Sequence, residues 1–320
     1  MRIVDRGAWV HNSNLPQTSG GEFFTLEQLK TMTIDAMKAY LRRRIGGYTV
    51  AIKPMRTMNK LYRGVFCGER PSSVDRISYP PQQFVLKPGR ANRDHRSMFY
   101  GCAGEFPIFF EIHAKQGDLI ALSEWAVTEP LWMHNLGYHP DALEKLGAPI
   151  SSQNSQRSPL ASPIVNETNY NRRIRRRMSL AFTADVPEGE EYRYKETIAI
   201  NELLFDRASS IAAGGNDDLR SERVAGTVYP TVKLRGLADN VVIWPEFVDR
   251  YLKIKSVRFL QVDAADEKTL SYSFLTIGYS QTFVGKTIIW QEDLAPEAQR
   301  RTNVSFENGQ WVFRDGSDTR

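Results

Sequence analysis

Residues 256–262 read Ser-Val-Arg-Phe-Leu-Gln-Val, and residues 270–278 read Leu-Ser-Tyr-Ser-Phe-Leu-Thr-Ile-Gly. Apolar, aromatic and β-branched side chains recur at about every second position, the period of a strand with one buried face. The polar stretch Asp263–Thr269 between them reads as a turn. Shorter runs of the same kind follow at Thr287–Trp290 and Trp311–Phe313. Upstream, Tyr48–Ile52, Lys60–Phe66, Asp118–Val127 and Val224–Val232, the last interrupted by Pro230, carry the same composition. Strands therefore dominate both ends of the chain, with few helices to serve as crossovers. That pattern predicts an α+β fold with antiparallel strands, not a doubly wound α/β sheet.

Helices are predicted at three places. Thr25 and Gln28 form a capping-box pattern ahead of Leu26–Arg44, where apolar residues fall at helical spacing and Arg42, Arg43 and Arg44 suit a helix C-terminus. Gly46-Gly47 ends that helix. A second runs over Glu188–Ile211 and stops at Gly214-Gly215. A short third follows Pro245, over Glu246–Leu252.

Composition narrows the function classes. Of 320 residues, 41% are hydrophobic and 25% charged, which excludes wholesale disorder. No apolar run reaches the roughly 18 residues that a membrane span needs. Met1–Arg6 has no apolar stretch after its charges, so no signal peptide is expected. Two cysteines, Cys67 and Cys102, cannot build a disulfide scaffold or a cysteine zinc site, and a cytoplasmic location is the simplest expectation. The five histidines are scattered, so no metal site is expected. A net charge of +5 is compatible with a phosphate-bearing partner without specifying one.

Residues 148–171 are polar and interrupted by Pro149, Pro159 and Pro163, and run into Arg172-Arg173-Ile174-Arg175-Arg176-Arg177. An insertion at about 148–177 is the expectation. The arginine run reads either as the solvated flank of that insertion or as a contact for nucleic acid or an acidic partner.

Phosphate-binding, dinucleotide-binding and nucleophile-elbow motifs are absent from the sequence. One set of residues stands out instead. Leu61-Tyr62-Arg63-Gly64 places an arginine inside a strand-like run, which costs desolvation unless the charge is paired. Pro88-Gly89-Arg90-Ala91-Asn92 places another in a glycine turn, Phe99-Tyr100 follows, and Phe109-Phe110-Glu111-Ile112 embeds a carboxylate among apolar residues. Taken singly, Arg63, Arg90 and Glu111 also read as structural ion-pair partners.

In order and spacing this set resembles the RES domain, a family named for its Arg, Glu and Ser. Gly226-Thr227-Val228-Tyr229-Pro230-Thr231 resembles the late segment of that family, and Asn240-Val241-Val242 the stretch after it. The resemblance covers about residues 58–262. Two departures stand out: Pro88 and Ala91 replace a Gly and a Trp, and Thr231 replaces the name-giving serine. Threonine keeps the hydroxyl while stiffening χ1.

The resemblance implies an ADP-ribosyltransferase-like fold, a split and mainly antiparallel β core with flanking helices that grips NAD+. It implies an N-terminal helical extension at 1–57 packed on the core, a RES-like core at 58–262 and a β-rich extension at 263–320. It implies cleavage of the nicotinamide–ribose bond by hydrolysis or phosphorolysis, and a toxin partnered by an Xre-type helix-turn-helix antitoxin. NAD+ would be the substrate, with no metal. Arg63 and Arg90 would bind its pyrophosphate through forked hydrogen bonds, and Tyr100 would stack on the nicotinamide end. Glu111 would stabilise the oxocarbenium-like sugar, and Thr231 would hydrogen-bond Glu111 or a phosphate oxygen. Two alternatives stay open: mono-ADP-ribosylation of a protein, and a non-catalytic binding protein that keeps the fold. Homo-oligomerisation stays open as well.

Overall fold

A computed structural model describes residues 23–48, 52–56, 59–148, 167–213, 224–291, 301–307 and 310–315. In chain order the helices are α1 (Leu26–Thr31), α2 (Ile34–Arg44), α3 (Pro107–Glu111), α4 (Pro140–Lys145), α5 (Asn169–Thr183), α6 (Tyr194–Ala213) and α7 (Pro245–Tyr251). The strands are β1 (Ile52–Met55), β2 (Lys60–Phe66), β3 (Phe99–Cys102), β4 (Leu119–Val127), β5 (Leu131–Asn135), β6 (Val224–Pro230) and β7 (Asp239–Ile243). They continue with β8 (Leu252–Asp266), β9 (Ser271–Ser280), β10 (Thr282–Val284), β11 (Thr287–Ile289), β12 (Arg301–Glu307) and β13 (Gln310–Asp315). The fold is α+β. The chain divides into two compact units: residues 1–57, 81–99 and 129–251 form the first, and 58–80, 100–128 and 252–320 the second.

In the first unit, β1 pairs antiparallel with β5, β5 parallel with β6, and β6 antiparallel with β7. Every residue of β6 and β7 is buried, the polar Thr227, Asp239 and Asn240 included. Helix α6 packs on β6 and against α2, while α4 packs against α5. The sequence predicts one helix over 26–44, but the structure breaks it. Thr25 and Gln28 complete the capping box of α1, and Thr33 then caps a new helix by accepting a hydrogen bond from the Ala36 amide at 3.2 Å. Two N-cap threonines eight residues apart make two helices, because each satisfies its own set of orphan amide donors.

The segment expected as an insertion, about 148–177, includes the start of a helix. Residues 169–177 are the first turns of α5, an amphipathic helix that buries Ile174, Met178 and Phe182. Residues 149–166 lie outside the described residues.

The second unit is an antiparallel sheet in the order β3-β2-β4-β8-β9-β12-β13. The described strands within the expected β-rich extension at 263–320 continue this sheet. Strand β8 runs to Asp266, and β9 and β12 continue the same ladder. Register shifts at Phe259/Leu260 and Val262/Ala264 explain why the alternation around 256–266 is imperfect. One face packs Cys67, Ile77, Ala121, Val257, Phe259 and Ile288. The other receives α3. Gly64 makes that approach possible, since a Cβ there would meet Ile108 Cγ2 at 2.5 Å. The Phe109 ring stacks on Tyr272 and Phe274 at 5.4 and 5.2 Å, and the Tyr272 hydroxyl donates to the Phe109 and Ala114 carbonyls. Each fully buried aromatic of this kind contributes about 1.5–3 kcal/mol.

Both cysteines are buried in the second unit. Cys67 lies in its apolar core and Cys102 stands opposite Tyr62 on β3. Among the described residues no helix is long and apolar enough to cross a membrane.

Candidate functional site

The residues singled out in the sequence fall in both units. Arg90 and Thr231 belong to the first, and Arg63, Tyr100 and Glu111 to the second.

In the first unit the turn Gly89–Asn92 is closed by a hydrogen bond from the Gly89 amide to the Asn92 carbonyl at 3.0 Å. It presents Arg90 to the C-terminus of α5. The guanidinium donates to the Phe182 and Ala184 carbonyls, both at 3.0 Å. A cation at that end also meets the negative pole of the helix. The same guanidinium lies over the Tyr194 ring at 5.3 Å and the Tyr229 ring at 5.8 Å. The structure thus brings the Gly-Arg-x-Asn turn and the Tyr-Pro-Thr segment together, although 139 positions separate Arg90 from Tyr229 (229 − 90).

Asn201 of α6 joins the same two segments from behind. Its amide donates to the Ala91 carbonyl at 3.1 Å, and its Oδ1 accepts from the Thr227 hydroxyl at 2.6 Å. Next to it, Glu202 holds Arg93 in a two-pronged pair. Sequence reasoning missed Asn201, Glu202 and Tyr194 as parts of this arrangement. The one available signal was an asparagine and a glutamate side by side in a helix otherwise rich in apolar residues.

Thr231 is fully buried, and its Oγ1 has no hydrogen-bond partner among the described residues. Its own backbone closes a tight loop, with Thr231 N donating to the Ala238 carbonyl and the Gly236 amide donating to the Thr231 carbonyl, both at 2.8 Å.

In the second unit, Arg63 sits within β2 as predicted, and it is partnered. Its Nε donates to the Ser78 carbonyl at 2.9 Å and Nη1 to the Tyr100 carbonyl at 2.7 Å. Burial pushes its guanidinium down to about 10. Arg63 and the backbone of Tyr100 are therefore neighbours. Glu111 ends α3, behind the buried run Pro107–Phe110, and is itself half-buried. Side chains alternate along a strand, so Arg63 leaves β2 on the face opposite Gly64, where α3 packs.

The arginine run of α5 is used within its own unit. Arg175 forks onto Glu167 with both bonds at 2.8 Å, Arg176 pairs with Asp141, and Arg177 lies over the Phe23 ring at 5.6 Å. Arg172 and Arg173 are the two exposed members. Among the described residues no group of three His, Cys, Asp or Glu side chains is placed to hold a metal ion. Compared with known proteins, the chain matches no family model, no curated protein and no solved structure.

Proposed function

We propose that this chain is a RES-type enzyme of ADP-ribosyltransferase-like fold that consumes NAD+ by breaking the nicotinamide–ribose bond. The observation that carries the reading is the ordered set Leu61-Tyr62-Arg63, Gly89-Arg90-Ala91-Asn92, Tyr100, Glu111 and Tyr229-Pro230-Thr231. Two contacts support it: Arg90 over Tyr229 joins the second and last segments of that set, and Arg63 to the Tyr100 carbonyl joins the first and third. The mostly antiparallel pairing of the strands suits the β core of that reading.

In this mechanism nicotinamide departs as a neutral leaving group, so no general acid is required. Positive charge develops on the ribose. Glu111 stabilises it and orients the ribose hydroxyls, as carboxylates do in glycoside hydrolysis. Water or phosphate completes the reaction. Arg63 leaves β2 on the face away from α3 and already donates to two carbonyls, so its part is to position the backbone of Tyr100, and pyrophosphate binding falls to Arg90. Arg90 holds the end of α5 and the Tyr229 ring in register with the turn, so positioning joins pyrophosphate binding in its role.

Purified protein mixed with NAD+ and followed by chromatography for free nicotinamide tests this. Release that falls roughly hundredfold or more in Glu111→Ala, and that also falls in Arg90→Ala, is expected. No release, with or without phosphate, overturns the reading. A toxin role adds that induction in bacteria lowers cellular NAD+ and stops growth, and that a separate Xre-type antitoxin relieves it. Transfer to a protein target would instead appear as protein bands labelled from biotinylated NAD+. The binding-protein alternative drew on the arginine run, and the pairing of Arg175 and Arg176 with Glu167 and Asp141 takes weight from it.

A further inference from the structure

One face of the second unit's sheet carries a polar cavity of about 300 Å³. Its wall is set by register: Tyr62 stands opposite Glu124, Glu124 opposite Ser256, and Arg258 opposite Tyr279. None of the five residues assigned above to NAD+ chemistry lines it.

The charges in the cavity are unevenly satisfied. Glu124 accepts a hydrogen bond from the Tyr62 hydroxyl at 3.2 Å and pairs with Lys60 at 3.0 Å. Glu105 pairs with Arg258. Both carboxylates are thus matched, each by one cation. Lys255, also in the wall, has no carboxylate partner among the described residues. The side chains of Ser256, Tyr279 and Gln281 line the same space. Polar groups facing a cavity without protein partners are the groups that bind a ligand or water.

This pattern selects one ligand chemistry. A cation would meet Lys255 and find both carboxylates already paired. An apolar molecule would strip water from hydroxyl, amide and ammonium groups without replacing their hydrogen bonds. An anion with hydroxyls offers a charge to Lys255 and hydrogen-bonding groups to Ser256, Tyr279 and Gln281. The volume lies at the lower end of the roughly 300–1,000 Å³ typical of ligand pockets, the scale of a monosaccharide derivative.

We propose that this cavity is a second binding site, distinct from the NAD+ residues, for a small hydroxylated anion whose carboxylate or phosphate group is held by Lys255.

Titration calorimetry on the full chain tests this with D-gluconate for the carboxylate source, ribose 5-phosphate for the phosphate source and ribitol as the uncharged control. At least one anion is expected to bind with a Kd in the millimolar range or below, and ribitol is expected not to. Lys255→Ala should weaken that binding about tenfold, the size of one charge-assisted hydrogen bond. Tyr279→Phe should weaken it by a smaller factor. Lys255 is exposed, so its replacement leaves the fold intact, which near-ultraviolet circular dichroism verifies. Absence of binding by both anions, ribitol binding as tightly as either, or unchanged affinity in Lys255→Ala overturns the site. NAD+ cleavage, measured separately, has no part in this outcome.

Discussion

The Arg93 guanidinium forks onto the Glu202 carboxylate, with Nε–Oε1 at 2.7 Å and Nη2–Oε2 at 2.8 Å. Arg93 also reaches Asp35 of α2, and Lys38 reaches Glu202 at 3.0 Å. A single buried carboxylate of α6 thereby ties together α2 and the segment that follows the Arg90 turn. Burial works against ionisation of Glu202, but Arg93 and Lys38 outweigh it and hold the carboxyl below its usual range.

Glu202→Gln is expected to destabilise the fold by about 2–4 kcal/mol, because it leaves Arg93 with its charge half-buried and one partner short. Urea unfolding measures this. A carboxyl with a lowered folded-state pKa contributes stability that is fully present above its unfolded pKa and fades as pH falls toward the folded value. The wild-type protein should therefore lose stability below about pH 4.5, the ordinary glutamate range, and Glu202→Gln should lose less of it there.

His134 of β5 gives a second pH dependence in a higher window. Burial, reinforced by Arg207, lowers its pKa to about 3. Below the ordinary histidine value the unfolded chain takes up a proton that the folded chain refuses. Stability should fall by up to about 1.4 kcal/mol per pH unit as pH drops from about 6.5 toward 3. His134→Leu should flatten that slope in denaturation curves recorded across the range; an unchanged slope would mean that another group takes up the proton on unfolding.

Glycine substitutions should separate two kinds of close approach. Gly64→Ala presses against the Cγ2 branch methyl of buried Ile108, which gives way only if that side chain turns or α3 shifts, and should cost about 1–3 kcal/mol. Gly226→Ala places its Cβ 1.8 Å from the Val242 carbonyl oxygen, which is backbone in the neighbouring strand. Its cost should exceed that of Gly64→Ala, read as a larger drop in melting temperature.

Thr231 offers a test in which stability and activity move in opposite directions. A buried hydroxyl without a partner is a cost, so Thr231→Val should leave stability unchanged or raise it by up to about 1 kcal/mol. If the hydroxyl serves NAD+ chemistry, the same variant should lose nicotinamide release while Thr231→Ser keeps it. Equal release in both variants would remove Thr231 from the proposed site.

The α+β class and several strands were legible because local patterns decide them. Asp118–Val127 became β4 within one residue, and the Pro245 start became α7. The capping box at Thr25 was legible for the same reason, and the second cap at Thr33 shows how one polar residue overrides an otherwise continuous apolar period. Strands β5 and β7 were not legible as strands. Each is only five residues long and mostly or wholly buried, so neither alternates. The pairing of β4 with β8, more than a hundred residues later, was not legible either. Such pairing leaves no local trace. At the candidate site, sequence order named Arg63 and Arg90, but the carbonyls that each engages could be found only in space.

The burial of Cys67 and Cys102 has a practical consequence. The Cys67 thiol is raised above its usual range by burial, so little of it is thiolate at neutral pH. A maleimide dye should therefore pass over the native thiols and react with a cysteine introduced at the exposed Lys255 position. The wall of the polar cavity can then carry an environment-sensitive fluorophore with no prior removal of native cysteines, and occupancy becomes an optical signal.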